Sequence, residues 1–155
     1  MAEPTTAASA YTAGIVDGEG CISIGRQSRD RRWEQFDLNV IVVAKDCRLT
    51  DWLYGQWGGY RGLVKRKSGF SPGEYHRWTI SARRASDLLR LVLPYLQIKS
   101  EQARVAIEFQ SLKRRHSGYS QADLYRPLYE RLRALKRECA AATPERSGSE
   151  LLAEA

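Results

Sequence analysis

Segment 11–22 constrains the fold of this chain more than any other stretch. It reads YTAGIVDGEGCI, in which Tyr11 and Ile15 lie four residues apart, as do Thr12 and Val16. That spacing predicts a helix with two neighbouring apolar rows turned toward a core. The other face collects small residues and one acid, namely Ala13, Gly14, Asp17 and Gly18. Because small residues every fourth position let another backbone approach closely, this face is typical of a helix–helix contact.

Gly18 and Gly20 are predicted to end the helix, since glycine adopts the left-handed conformation common at helix C-termini. Glu19 is then exposed at the helix tip, and strand-like alternation starts at Cys21. Because Asp17 and Glu19 lie two residues apart, they point nearly opposite ways and do not share a proton or a metal. We expect Asp17 at a helix interface and Glu19 at the tip, where two packed helix ends would form an oxygen-rich site for a divalent cation. A plain helix that stops at a glycine turn, with a solvated Glu19, explains these residues equally well.

The composition narrows the class of protein. The chain has 155 residues, enough for one domain with a core, and its net charge of +7 favours a polyanionic partner. The cysteines Cys21, Cys47 and Cys139 are odd in number and far apart, which argues against a disulfide framework and a zinc site. With only two histidines, a His-rich metal centre is excluded. Short apolar runs and the absence of a signal-peptide pattern at the N-terminus predict a soluble, intracellular protein with no membrane partner.

Hydrophobic periodicity predicts the order helix, strand, strand, helix, strand, strand and then helices. Predicted strands cover 21–27, 33–43, 62–67 and 75–81, and the later helices cover about 47–57, 85–93, 100–114 and 121–138. The second strand is the clearest, because apolar residues at 36, 38, 40 and 42 alternate with Gln35, Asp37 and Asn39, as in an antiparallel strand with one wet face. We expect a single domain over 1–139, with its core at about 8–115, and a mostly disordered tail over 140–155.

Polar side chains on the wet face of this sheet, and in its basic turns, are suited to reading base edges in a major groove. The candidate DNA-binding residues are Ser23, Gln27, Arg29, Arg31, Arg32, Gln35, Asp37, Asn39, Lys65, Lys67, Tyr75, Arg77 and Thr79. A solvated sheet face is polar as well, but a cluster of arginines and lysines favours nucleic acid here. That cluster comprises Arg26, Arg29, Arg31, Arg32, Lys65, Arg66, Lys67 and Arg77.

Segment 13–20, AGIVDGEG, resembles the signature of the LAGLIDADG homing endonucleases. Thr12 stands in place of the usual leading leucine, and Glu19 replaces the metal-binding aspartate with a chemically equivalent acid. The predicted order of helices and strands is also the order of that family, over roughly residues 8–115. The resemblance implies an α+β fold of the order αββαββα, with a curved four-stranded antiparallel sheet that binds DNA.

The resemblance also implies an activity. One motif per chain implies a homodimer, with the two motif helices packed together through Ala13, Gly14, Asp17 and Gly18. Each sheet would cover half of a long pseudo-palindromic target in double-stranded DNA. The enzyme would hydrolyse one phosphodiester in each strand and leave cohesive ends, as in the mobility of an intron or intein. Glu19 and the carbonyl of Gly18 would hold Mg²⁺, for which Mn²⁺ would substitute.

Two further residues are implied as catalytic by the resemblance. The run PYLQIK at 94–99 resembles a family segment in which a proline is followed five residues later by an active-site lysine, here Lys99. Arg48 occupies a corresponding basic position after the second strand. Ala44 departs from the pattern, because many relatives carry Gln or Asn there and alanine cannot orient a water molecule. Two alternatives remain: a maturase that binds intron RNA, and a DNA-binding regulator that does not cleave.

Overall fold

An antiparallel sheet of four strands forms the centre of the fold. The computed structural model describes residues 5–30, 33–66, 72–115 and 122–141. The elements, in chain order, are α1 (Thr6–Glu19), β1 (Gly20–Asp30), β2 (Trp33–Ala44), α2 (Cys47–Trp57), β3 (Tyr60–Arg66), β4 (Gly73–Ser81), α3 (Ala82–Val92), a 3₁₀ turn (Leu93–Tyr95), α4 (Ser100–Arg115) and α5 (Ala122–Ala141). The strands lie in the order β1-β2-β4-β3, so β1 and β3 are the edges of the sheet. The predicted α+β fold is confirmed.

One face of the sheet is covered by helices. Successive side chains of a strand point to opposite faces, so the apolar residues predicted at alternate positions of β2 all point the same way. Phe36, Leu38, Val40 and Val42 are each at most 2% exposed. Trp78 of β4 joins them, and buried side chains of α1, α3 and α4 complete the same core. Burial of this apolar face is the main force that holds the sheet and helices together.

The other face of the sheet, termed the open face below, carries polar side chains. Paired residues share a face, and Ser23 pairs with Asn39 between β1 and β2, while Ile41 pairs with Thr79 between β2 and β4. The predicted wet face therefore exists, and the structure supplies its register. Most of the polar residues predicted on β1, β2 and β4 lie on it.

Several helix and strand boundaries differ from the predicted ones. β1 continues to Asp30, beyond its predicted end at 27. α5 continues to Ala141, beyond its predicted end at 138, and residues 142–155 of the predicted tail lie outside the described part of the chain. Among the helices of the described residues, none combines the length and apolar character needed to cross a membrane.

Thr12, the residue that departs from the signature at its first position, is fully buried in α1. Its hydroxyl donates to the carbonyl of Ala8 at 2.7 Å and accepts a hydrogen bond from the indole Nε1 of Trp57 at 2.9 Å. Leucine would leave that indole N–H without a partner. Tyr11, by contrast, was predicted in the core and is 55% exposed, with its ring edge against Trp52. That prediction is wrong because the buried side of α1 turns toward Thr12 and Val16 instead.

Replacing Thr12 with valine should lower the free energy of unfolding by about 1–3 kcal/mol, since the buried Trp57 N–H loses its acceptor. Urea unfolding of the two proteins measures this difference. Thr12→Ser keeps the hydroxyl and loses only a methyl group, so it should cost less than the valine variant. Equal losses in the two variants would mean that the hydrogen bond to Trp57 contributes little.

Candidate functional site

Glu19 is the last residue of α1, and its side chain is exposed. Within residues 5–30, 33–66, 72–115 and 122–141, no hydrogen bond or ion pair engages its carboxylate. β1 begins directly after the helix, at Gly20, so Glu19 lies where the helix meets the sheet. A carboxylate placed in this way has its lone pairs available for a ligand.

Gly20 ends α1 for a different reason from the one predicted. Its backbone is extended, with φ −83° and ψ 151°, and its N–H donates to the carbonyls of Ile15 and Val16. A Cβ at this position would lie 2.6 Å from the Cα of Val16, a contact that side chains do not make. Gly18 remains inside the helix, with open space where its Cβ would be. Close approach, not a left-handed conformation, is what requires glycine at position 20.

Lys99 is attached to the end of α1. Its ammonium donates to the carbonyl oxygens of Val16, Asp17 and Gly20, at 2.8 Å in each case. Those contacts use all three donors of a lysine side chain. Burial lowers the pKa of Lys99, although the neighbouring Asp17 acts in the opposite direction. Lys99, predicted to be catalytic, therefore caps the helix that carries Glu19, and its three donors go to carbonyls other than that of Gly18.

Asp17 makes the reverse connection. Its carboxylate accepts hydrogen bonds from the backbone amides of Gln97 at 2.7 Å, Ile98 at 3.3 Å and Lys99 at 2.9 Å. Lys99 thus caps the end of α1, and Asp17 caps the segment that leads into α4. We term this arrangement the Asp17–Lys99 clamp. It joins the end of α1 to the start of α4. The carboxylate of Asp17 is bound within its own chain, and its predicted role in a dimer interface stays a prediction.

The outer face of α1 is open. Gly14 and Gly18 are exposed, and a Cβ at either position would meet no atom within 4 Å. Ala13, which was predicted on the same face, is fully buried in the core of its own chain, and its placement is corrected. The exposed face continues through Ala10, another small residue. Its role in a dimer stays a prediction.

Arg48 lies in the first turn of α2. Its backbone N–H and its guanidinium both donate to the carboxylate of Asp46, the residue that caps α2. The hydrogen bond from Arg48 lowers the pKa of Asp46 to about 2. The side chain of Arg48 is 87% exposed, and no described hydrogen bond or ion pair links it to Glu19 or Lys99. Ala44 ends β2 opposite His76, on the helix-covered side of the sheet by register.

The predicted DNA-binding residues that the structure places on the open face are Ser23, Gln27, Gln35, Asp37, Asn39, Tyr75, Arg77 and Thr79. Tyr75 is only 8% exposed, because the guanidinium of Arg66 and the ammonium of Lys45 lie over its ring, 4.7 Å and 5.8 Å from the centroid. Arg31, Arg32 and Lys67 lie outside the described residues. For Arg29 only the backbone, within β1, is described.

The predicted position of Lys65 on the open face of the sheet is wrong. It pairs with Glu74 across β3 and β4, one residue out of step with Tyr75 and Arg77, so it points to the helix side. There its ammonium forms an ion pair with the carboxylate of Glu74 at 2.9 Å. Its neighbour Arg66 is the β3 cation that lies on the open face. The sequence of β3 carries no clean alternation, so it gave no signal for choosing between the two.

Lys113 of α4 was missed by sequence reasoning. Its ammonium lies 2.6 Å from a carboxylate oxygen of Asp37 and 2.5 Å from the carbonyl oxygen of Phe36. β4 pairs with β2 only from Asn39 onward, so the earlier half of β2 has an edge that this lysine reaches. Lys113 thus offsets the negative charge of Asp37 on the open face. Gln35 donates to the other oxygen of the same carboxylate at 2.9 Å.

The donor set of one chain is small. The described residues contain no group of three or more His, Cys, Asp or Glu side chains that could surround a metal ion. The carboxylate of Glu19 and the carbonyl of Gly18 nevertheless fit a hard divalent cation, because Mg²⁺ commonly takes one or two carboxylates and completes its shell with phosphate and water. The site therefore suits a cation that is shared with a phosphate-bearing ligand.

Comparison with known proteins places this geometry in a fold family. No family model matches the chain, and no curated protein matches it either. Among solved structures, the homing endonuclease I-CvuI in complex with its target aligns with a TM-score of 0.60 and 18% identity, over 90% of this chain and 83% of that one. The I-SmaMI LAGLIDADG homing endonuclease bound to cleaved DNA aligns with a TM-score of 0.56 and 17% identity. The chain has the LAGLIDADG homing-endonuclease fold.

The solved structures differ in how much of their own chain this fold covers. The archaeal intron-encoded homing endonuclease I-Vdi141I, complexed with DNA, aligns with a TM-score of 0.59 and 13% identity, over 88% of this chain and 84% of that one. I-SmaMI aligns over 83% of this chain but only 42% of its own. The present chain therefore corresponds to most of the I-Vdi141I chain and to less than half of the I-SmaMI chain.

Proposed function

We propose that the protein is a LAGLIDADG homing endonuclease, a site-specific nuclease that makes a double-strand break in DNA as a homodimer and depends on a divalent metal. The observation that carries the proposal is the unengaged carboxylate of Glu19 at the tip of α1. The Asp17–Lys99 clamp holds this tip, and β1 of the open face begins at the next residue. A binding protein needs the open face but has no use for a fixed acid at its end.

The open face is the proposed DNA-binding surface. Its amide, hydroxyl and guanidinium groups match the edges that a major groove presents. A strand of about ten residues spans ~33 Å, which is about ten base pairs at ~3.4 Å per step. β1 and β2 have 11 and 12 residues and reach that length. Two sheets in a dimer would then cover a pseudo-palindromic target of roughly twenty base pairs.

A homodimer is proposed from the outer face of α1. Gly14 and Gly18 leave this face flat, so that a second α1 can approach closely. The pairing would bring two Glu19 carboxylates to the centre, one for each DNA strand.

The chemistry follows from the placement of few groups. Glu19 and the Gly18 carbonyl would hold Mg²⁺, or Mn²⁺ in its place. When bound, such a cation lowers the pKa of its water and stabilises the departing 3′ oxygen. The chain itself supplies the negative charge of Glu19, and the Asp17–Lys99 clamp fixes the backbone on either side of it. Arg48 remains a predicted catalytic residue, whose exposed guanidinium would have to leave Asp46 to reach a phosphate.

The proposal is tested by cleavage of a random library. The protein is incubated with double-stranded DNA that carries about thirty randomised base pairs, in Mg²⁺ and in EDTA, and the ends produced are sequenced. We expect paired ends with cohesive overhangs, only in Mg²⁺, at sites with two-fold symmetry. Specific binding without cleavage would support the DNA-binding regulator instead. Binding to intron RNA in preference to every duplex would support the maturase.

Arg77→Ala should weaken binding to a selected site by about 1–3 kcal/mol if the guanidinium contacts a base. Lys65→Ala is the matched control, since it removes the same charge from a neighbouring strand but from the helix side of the sheet. Fluorescence anisotropy at a fixed salt concentration gives both dissociation constants. Equal losses would mean that the open face is not the surface that reads DNA.

A further inference from the structure

Lys136 of α5 reaches the region beside Glu19. Its ammonium lies 3.0 Å from the sulfur of Cys21, which follows Glu19 by two residues in the chain. Two residues of a strand span about 7 Å, so the ammonium is held a short distance from the end of α1. The resemblance to homing endonucleases assigned no function to this lysine.

The position of Lys136 relative to the sheet is informative. α5 packs on the helix-covered side, where the ring of Tyr129 lies against Phe36 at 5.6 Å between centroids. Cys21 pairs with Ile41, and the register turns both toward the open face. Because β1 is an edge strand, the side chain of Lys136 can pass its free edge to reach the sulfur. The ammonium of Lys136, a residue of the helix layer, therefore lies at the border of the proposed DNA-binding surface.

The charge of Lys136 is not neutralised by an ion pair within the described residues. Its partner there is a sulfur atom, and it forms no ion pair with a carboxylate of that part of the chain. Lys99 differs, because three carbonyl oxygens occupy its three donors. Burial is the main cause that lowers the pKa of Lys99, and the charge of Lys136 adds to that effect. Lys136 therefore lies within electrostatic reach of the clamp.

We propose that Lys136 is the cation that contacts a DNA phosphate beside Glu19, and that Lys99 is a positioning residue that holds the tip of α1. The proposal rests on the proposed nuclease function. It reverses the expectation from the resemblance, in which Lys99 acts on the reacting phosphate. It also gives α5 a part in the active site, although the sequence resemblance covers only about residues 8–115.

Lys136→Met tests this role, because methionine keeps most of the stem and removes the charge. The probe is a duplex recovered by the library selection, bound in Ca²⁺ or cleaved in Mg²⁺ under single-turnover conditions. We expect cleavage to slow about tenfold to a hundredfold, and the slope of log affinity against log salt to fall by about 0.9 for each phosphate that the variant no longer neutralises. Lys136→Arg should restore most of both values. Arg131→Met is the matched control, since Arg131 is an exposed cation of the same helix.

A neutral methylphosphonate placed at each central position of the duplex locates the phosphate that Lys136 binds. At one position per strand, the difference in affinity between the wild type and Lys136→Met should disappear, whereas the Arg131→Met protein should respond to that position as the wild type does. If Lys136→Met matches Arg131→Met in rate, slope and methylphosphonate response, the proposal for Lys136 is overturned while the nuclease function stands. A wild-type protein that neither binds nor cleaves any duplex would instead overturn the function.

The positioning role of Lys99 has its own readout. Lys99→Met and Asp17→Asn each open the clamp, so each should speed hydrogen exchange of the amides at 97–99 and raise the Ca²⁺ concentration needed for tight DNA binding. Because the two residues act as one unit, the double variant should lose little more than either single variant. Additive losses, with unchanged hydrogen exchange in Lys99→Met, would restore Lys99 as a group that acts on the phosphate.

Discussion

Replacing Glu19 with glutamine is expected to abolish cleavage while specific DNA binding is retained. Glutamine keeps the size of the side chain and removes the charge, and no described residue depends on that carboxylate for a hydrogen bond. We expect the single-turnover rate in Mg²⁺ to fall by at least about a thousandfold, which corresponds to about 4 kcal/mol in the barrier. Gel analysis of both strands measures nicking as well as complete cleavage.

Glu19→Asp provides the matched control, because it keeps the charge and shortens the side chain by one methylene. It also restores the residue that the LAGLIDADG signature usually carries at this position. Its rate should stay well above that of the glutamine variant, and its binding in Ca²⁺ should match the wild type. Nicking by Glu19→Gln at the wild-type rate would mean that another group holds the metal.

The order of elements was predictable because local patterns determine it. β2 alternates strictly between apolar and polar residues, and Asp46 caps α2 as its sequence position indicates. The polar rows on β2 and β4 followed from the same period. β3 failed this test, since its sequence YRGLVKR does not alternate, and the placement of Lys65 was therefore wrong. Only the pairing of β3 with β4 settles which side chain faces which way.

The arrangement around Glu19 was not predictable, because it depends on contacts between distant parts of the chain. Lys99 and Asp17 are 82 residues apart, and Lys136 and Cys21 are 115 apart. Nothing in the local sequence distinguishes a lysine that caps a helix from one that faces solvent. The family resemblance directed attention to Lys99, but it gave no indication that its three donors would be used by the backbone of α1.

Glycine illustrates the same limit. Gly14, Gly18 and Gly20 look alike in the sequence, yet only Gly20 has backbone atoms where a side chain would lie. Gly14 and Gly18 have open space around them within their own chain. No contact with a described residue therefore requires glycine at these two positions, and glycine in a helix interior costs about 1 kcal/mol relative to alanine. The proposed partner helix, packed against them, would account for that cost.

The wild-type protein is accordingly expected to be a dimer at micromolar concentration without DNA, and Gly14→Leu is expected to be a folded monomer. A Cβ at position 14 would meet no described atom within 4 Å, so we expect the substitution to displace only a second copy. Gly55→Leu is the matched control, since Gly55 is an exposed glycine of α2 with equally open surroundings. Both variants should gain helix propensity, by about 0.8–1 kcal/mol.

Sedimentation equilibrium separates the outcomes. Gly14→Leu should sediment as a monomer and lose double-strand cleavage, while Gly55→Leu should remain a dimer and cleave as the wild type does. Circular dichroism of both variants checks that the fold is intact. A wild type that is monomeric at micromolar concentration would refute the homodimer. A Gly14→Leu protein that remains an active dimer would place the interface on a surface other than the outer face of α1, and cleavage of both strands would then not depend on pairing of the two α1 helices.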